Sequence, residues 1–118
     1  MINWNNLDTL TSFKELSEVE RVNLAEVMSG ENGAERVKDY SVPMTEDLTY
    51  NYAAKAVDDK VLAALAKLAK EAQLTEKYAA LYNGEVINTG EKRLVLHQLT
   101  RGQLGDKVEA DGVDKREF

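Results

Sequence analysis

Cysteine is absent from this 118-residue sequence, and histidine and proline occur once each, as His97 and Pro43. The lack of cysteine excludes a disulfide framework, a thiolate nucleophile and a zinc site built on cysteine ligands. A lone histidine cannot supply a mixed Cys/His zinc site either. With one proline and no stretch of low complexity, long disorder is not expected. A folded chain with few reactive groups remains.

Long apolar segments and targeting signals are also missing. The longest apolar-leaning run, Val61 to Ala69, is interrupted by Lys67 and is too short to span a bilayer. The opening residues lack a basic region followed by an apolar one, so no signal peptide is predicted. Acidic residues outnumber basic ones by 21 to 15, which argues against a binder of nucleic-acid backbones. We expect a soluble cytoplasmic chain without a membrane or nucleic-acid partner.

The spacing of apolar residues predicts mainly helices. A first helix is indicated by a three-residue recurrence of Leu7, Leu10, Phe13 and Leu16. Two short helices are expected next, because Asn23 and Asn32 each precede a glutamate at the spacing of a helix start. The strongest helix begins at Asp58 and carries an apolar stripe of Val61, Leu65, Leu68 and Ala72. Two more are predicted, over residues 75–81 and 91–100.

The middle of the chain has a different pattern. Tyr40–Val42 and Leu48–Tyr52 are rich in β-forming residues, which predicts an antiparallel hairpin near residues 38–53 with a loop over 43–47. An isolated hairpin is marginal in water, so it must pack on the helices or on something outside the chain. The predicted fold class is mainly α with one small antiparallel β-hairpin. Residues 1–101 form this segment, and the polar residues 102–118 form a connection.

Candidate reactive groups all have simpler interpretations. His97 lies among apolar neighbours, which favours a structural, hydrogen-bonded histidine, and no G-x-S-x-G nucleophile elbow occurs. Helix-start chemistry explains Asp58 and Asp59 better than catalysis does. The other acidic pairs are interpreted as a solvated surface, namely Glu18 with Glu20 and Asp106 with Glu109. No catalytic, substrate-binding, cofactor-binding or metal-binding residue is therefore predicted.

One further feature is excluded as a phosphate site, and two others keep two interpretations each. The short run Gly30–Gly33 matches no phosphate-binding loop. The start of the helix predicted at Asn88–Glu91 would have free N–H groups for an anion, although capping is the simpler explanation. Aromatic residues offer a stacking platform or, more simply, core or interface packing: Trp4, Tyr40, Tyr50 and Tyr52.

One block carries a family resemblance. Residues 84–97, Gly-Glu-Val-Ile-Asn-Thr-Gly-Glu-Lys-Arg-Leu-Val-Leu-His, resemble the G-E-x-I-N-x-T-E-x-R-x-V-L-H stretch of glucose-6-phosphate isomerases. The continuation to Gln103 is similar to that of spirochaete-type members. Tyr50–Lys55 with the helix behind it, and the run Leu7–Leu16, are similar to the N-terminal part of the same family. One departure is Gly90, where the family has threonine.

The resemblance implies the N-terminal segment of a longer α/β enzyme that interconverts glucose 6-phosphate and fructose 6-phosphate in glycolysis and gluconeogenesis. It implies a cytoplasmic homodimer that needs no metal or cofactor. The catalytic groups would lie in two sugar-isomerase domains beyond residue 118, so the partner of this segment would be the rest of its own enzyme. His97 matches the motif histidine, which is not the family's catalytic one.

The residues alone leave two other functions open. A free-standing helical adaptor would bind a partner protein through the Val61–Ala72 stripe. A small anion-binding module would use Asn88–Glu91.

Overall fold

The computed structural model describes residues 1–101, 107–110 and 112–115. They divide into two units, which we name the hairpin unit (residues 11–67) and the α5 unit (residues 1–10 and 68–118). Helices predominate, and the β1–β2 hairpin is present, so the predicted fold class is confirmed. Two further short strand pairs occur that the sequence did not predict.

Three helices open the hairpin unit: α1 (Thr11–Glu18), α2 (Leu24–Ser29) and α3 (Gly33–Asp39). The Asn23 side chain accepts a hydrogen bond from the Glu26 N–H, so this predicted cap is confirmed. The Asn32 side chain makes no such bond, although α3 follows it. Gly33 allows the tight α2–α3 turn, because a Cβ there would lie 2.2 Å from the Met28 carbonyl oxygen.

The predicted hairpin consists of β1 (Ser41–Thr45) and β2 (Leu48–Asn51), which pair antiparallel. Its connection is shorter than predicted, because Pro43 lies within β1. The Tyr52 N–H donates to the Tyr40 carbonyl, so hydrogen-bonded pairs alternate from there and Pro43 falls opposite Thr49 in a non-bonded pair. Its missing N–H therefore removes no bond between the strands.

Helix α4 (Asp59–Glu71) follows the hairpin as predicted. An oxygen of Asp58 accepts the Val61 N–H at 2.8 Å, which confirms the predicted helix-start role of Asp58. The segment between β2 and α4 has no regular structure of its own, yet Ala53 within it is almost completely buried. Backbone carbonyls in such a segment need hydrogen-bond partners.

The Arg36 guanidinium provides those partners. Its Nε donates to the Ala53 carbonyl at 3.0 Å, and its Nη2 donates to the carbonyls of Lys55 at 3.0 Å and Val57 at 2.7 Å. The guanidinium carbon also lies 4.1 Å from the centre of the Tyr40 ring. One buried side chain of α3 thus holds both the end of the hairpin and the approach to α4.

The α5 unit is built around α5 (Leu74–Tyr82), which contains the helix predicted over residues 75–81. The short pairs β3–β4 (Val86–Asn88 with Arg93–Leu94) and β5–β6 (Glu109–Ala110 with Val113–Asp114) follow, with a 3-10 helix over His97–Arg101 between them. The predicted connection over residues 102–118 stays a prediction, because residues 102–106, 111 and 116–118 lie outside the described residues.

The prediction of a helix over residues 91–100 is wrong. Asn88 and Glu91 do interact, with the Asn88 side-chain oxygen accepting the Glu91 N–H at 3.2 Å. That bond closes the loop between β3 and β4 instead of starting a helix, and Lys92 has the left-handed backbone angle φ 53°. The β-branched residues on either side of the loop favour strands over a helix. An asparagine three residues before a glutamate suits both settings.

Removing the guanidinium tests its role in the hairpin unit. Arg36→Met should lower the free energy of unfolding by about 2–4 kcal/mol, because three partly buried carbonyls lose charge-assisted bonds. Urea denaturation measures the change. Arg21→Met is the matched control: Arg21 is exposed, and its side chain makes no hydrogen bond to the described residues. Equal effects of the two substitutions would contradict this role.

Gly84 offers a second test, in the α5 unit. Its φ is +74°, and a Cβ would lie 2.5 Å from a methyl group of the buried Val108. Gly84→Ala should therefore cost about 1–3 kcal/mol of stability. Gly90→Ala is the control, because a Cβ there would lie 3.8 Å from the Asn88 side-chain oxygen, an ordinary contact, and the φ of Gly90 is not positive. Thermal unfolding of both variants measures the difference.

Candidate functional site

His97 lies at the start of the 3-10 helix and is exposed. Its carbonyl accepts the Thr100 hydroxyl at 2.8 Å, but its ring makes no hydrogen bond within the described part of the chain. The expectation of a hydrogen-bonded structural histidine is therefore wrong, because the short 3-10 helix leaves the ring at the surface. The ring borders a cleft of about 280 Å³ with Tyr78, Tyr82 and Arg101.

The structure describes five of the six acidic residues considered as pairs, and they have different surroundings. Asp58 caps α4, whereas its neighbour Asp59 accepts the Tyr40 hydroxyl at 3.2 Å. Glu18 and Glu20 are exposed, and Glu109 pairs with Lys107. Asp106 lies outside the described residues. Among the residues that the structure describes, no three histidine or carboxylate side chains converge as metal ligands would.

The proposed anion site at Asn88–Glu91 lacks the feature on which it depended. No helix begins there, and the Glu91 N–H already donates to Asn88. The Glu91 carboxylate itself accepts the Asn88 side-chain amide at 3.1 Å, which places negative charge in the loop. The Arg93 guanidinium lies 3.9 Å from the same carboxylate, so the charged groups of the loop face each other.

A cleft of about 450 Å³ lies along α2 and α3 in the hairpin unit. Its lining includes Glu26, Glu31, Glu35 and Asp39, together with Arg36 and Tyr40. Arg36 directs three donors to backbone carbonyls, so its charge is already engaged. Four carboxylates make this cleft unsuitable for a phosphate-bearing ligand, because like charges repel.

The three tyrosines that were considered for stacking or for packing lie close together. Tyr40 and Tyr52 have ring centres 5.3 Å apart, and Tyr50 and Tyr52 are stacked at 6.1 Å. Trp4 belongs to the α5 unit, where Lys77 lies 5.5 Å from its ring centre. Tyr50 and Tyr52 border an apolar groove of about 370 Å³, which is also lined by Val42, Val57 and Leu62 and has Lys55 as its one charged residue.

Sequence reasoning missed the residue that organises this groove. Arg36 is one of several charged residues in a short helix, and nothing in its neighbours marks it as buried. Only the tertiary position of three carbonyls reveals its role. The groove itself had a partial signal, because the alternation of apolar and polar residues in both strands places the apolar side chains on one face.

Comparison with known proteins identifies the family of this chain. A sequence profile of the family described as phosphoglucose isomerase matches residues 51–117. The chain belongs to the phosphoglucose isomerase family. The match contains the whole resembling block at residues 84–97, so the predicted family is confirmed.

Relatives in this family cover nearly the entire chain. Glucose-6-phosphate isomerase from Treponema denticola is 52% identical over 98% of this chain, which covers 23% of that protein. The enzyme of the same name from Borreliella afzelii is 41% identical over the full chain, covering 22% of the relative. The one from Treponema pallidum strain Nichols is 47% identical over 85% of the chain and 19% of the relative. The chain thus spans about a fifth of the length of these isomerases.

In the part of the chain that the structure describes, no helix has both the length and the apolar character needed to cross a bilayer.

The Tyr40 hydroxyl gives a measurable electrostatic signature. Burial raises the pKa of Tyr40 above its usual 10.0; the hydrogen bond to Asp59 and the Asp59 charge raise it further, whereas Arg36 lowers it. Because the pKa of Tyr40 is higher in the folded state than in the unfolded state, its hydroxyl contributes fully to stability below pH 10.0. That contribution is lost as the pH rises through the pKa that Tyr40 has in the folded state. Phenolate absorbance during an alkaline titration should therefore contain a late component that Tyr40→Phe removes.

Asp59→Asn provides the matched comparison. It keeps a side chain of the same shape but removes the charge, so it should shift the late component to lower pH without abolishing it. A late component that persists in Tyr40→Phe would show that another tyrosine produces it.

Proposed function

We propose that this chain is the helical N-terminal segment of a glucose-6-phosphate isomerase, the enzyme that interconverts glucose 6-phosphate and fructose 6-phosphate in glycolysis and gluconeogenesis. The observation that carries the proposal is the 52% identity to the Treponema denticola enzyme over 98% of the chain. The family match over residues 51–117 supports the same reaction class, an aldose–ketose isomerisation.

In this proposal, catalysis takes place in the polypeptide outside the chain. The described residues offer an exposed histidine ring that makes no hydrogen bond, and carboxylates that cap a helix, close a loop, form an ion pair, lie exposed or line the acidic cleft. General acid–base catalysis needs a base within hydrogen-bond reach of a bound substrate, and the acidic cleft repels a sugar phosphate. No residue of this chain is therefore assigned a catalytic, substrate-binding, cofactor-binding or metal-binding role.

The rest of the enzyme is the natural partner of this segment. We infer two sugar-isomerase domains that pack against it, a homodimer as the complete enzyme, and activity in the cytoplasm without a cofactor. The apolar side chains left exposed in the hairpin unit support a covering role. A free-standing adaptor is not favoured, because the family and the relatives named above are isomerases.

An activity assay tests the proposal directly. The 118-residue chain alone should give no conversion of fructose 6-phosphate in an assay coupled to oxidation of glucose 6-phosphate. A chimera should be active, in which this chain replaces the matching segment of the Treponema denticola enzyme. We expect its kcat/KM to be within about ten-fold of the parent enzyme's, because no transition-state contact is exchanged.

Two results would contradict the proposal. Turnover by the 118-residue chain alone would place catalytic groups inside it. A chimera that folds but has no isomerase activity would show that the segment does not serve this enzyme.

A further inference from the structure

One face of the β1–β2 hairpin is apolar and open to solvent. Val42 and Tyr50 lie directly opposite each other in the register, and Tyr52 and Leu48 follow on the same face by the alternation of side chains. Val42, Leu48 and Tyr50 are 46%, 58% and 50% exposed. The other face carries Ser41, Pro43, Thr49 and Asn51. A two-sided strand pair of this kind normally turns its apolar face to a core.

A groove continues this face toward α4. Val42, Tyr50 and Tyr52 form one side of it, and Val57 and Leu62 contribute to its lining, with a volume of about 370 Å³. A space of that size admits a few large side chains of another segment. We name the hairpin face together with this groove the hairpin surface.

The hairpin surface is held in place by the hydrogen bonds of Arg36. The carbonyls of Lys55 and Val57 accept hydrogen bonds from the guanidinium, so the backbone of the segment that borders the groove is held in place. The Asn51 side chain adds two more bonds, to the Val37 carbonyl and the Ala53 N–H. A surface fixed in this way loses little conformational entropy when another segment binds to it.

The hairpin unit lacks a core that would account for its apolar residues. Ala53 is its one apolar side chain classed as buried among the described residues, whereas the hairpin leaves Met44 62% exposed. A two-stranded hairpin needs a third strand or a packing partner to be stable. The relatives contain about four-fifths of their length outside the part that this chain matches, which is polypeptide enough to supply that partner.

We propose that the hairpin surface is the docking surface for the part of the full-length isomerase that lies outside this chain. The inference rests on the proposed function and names the partner of the segment at the level of residues. A segment of that outside part inserts apolar side chains into the groove. It also covers the apolar face of the hairpin, including Met44 in the bulge of β1.

Two substitutions on one strand separate docking from general damage. In the chimera, Tyr50→Asp places a carboxylate on the apolar face, and Thr49→Asp places the same group on the opposite face one residue away. Tyr50→Asp should reduce soluble, active enzyme by about ten-fold or more, because an unpaired charge would be buried against the docked domain. Thr49→Asp should stay within about two-fold of the unsubstituted chimera, as exposed substitutions usually do. Equal effects of the two would overturn the proposal.

Oxidation of Met44 gives a readout that needs no substitution. Dilute peroxide should convert Met44 to its sulfoxide at least about ten-fold more slowly in the chimera than in the 118-residue chain, because docking excludes the oxidant. Met1 is the internal reference for peroxide activity. Peptide mass spectrometry measures both rates.

The outcomes separate the docking surface from the proposed reaction. Slow oxidation of Met44 in a folded but inactive chimera would support docking and contradict the isomerase function. An active chimera in which Met44 reacts as fast as in the 118-residue chain would contradict docking and leave the function intact. Protection of Met44 in the chain alone, at concentrations where sedimentation shows a dimer, would assign the surface to a second copy and overturn the proposal.

Discussion

The guanidinium of Arg36 is the interaction on which the hairpin unit depends. It is a buried cation whose compensation comes from carbonyl oxygens and an aromatic face instead of a carboxylate. A planar group with several fixed donors suits this task, because it can bond to carbonyls of three different residues at once. Lysine would offer a single point of charge and could not replace that geometry. Three carbonyls of the irregular segment after the hairpin are bonded to this one side chain.

This arrangement explains why the hairpin can be ordered although its apolar face is uncovered. Hydrogen bonds fix the end of β2 and the residues after it, and the contacts among the tyrosines at 40, 50 and 52 support the strands further along. Hydrogen bonds confer geometry, but their net contribution to stability is modest compared with apolar burial. A unit organised in this way has a defined shape and still gains stability when a partner covers its apolar face.

Local features of the fold could be predicted from sequence, and long-range ones could not. The caps at Asn23 and Asp58 join residues that are three positions apart, so both partners can be recognised within a short stretch of sequence. The hairpin followed from two runs of β-forming residues. The failure at residues 91–100 arose because the bond between Asn88 and Glu91 closes a strand loop here and starts helices elsewhere. Arg36 could not be found, since its carbonyl partners lie 17 to 21 residues away.

Several residues in and beside the resembling block at residues 84–97 fix the backbone of the α5 unit. Gly84 is needed because its backbone is left-handed and Val108 packs where a Cβ would stand. Asn88 and Glu91 close a loop, and Gln98 just beyond the block donates to the Leu81 carbonyl of α5. Each of these residues serves backbone geometry within the α5 unit. Similarity of this kind constrains how the segment folds.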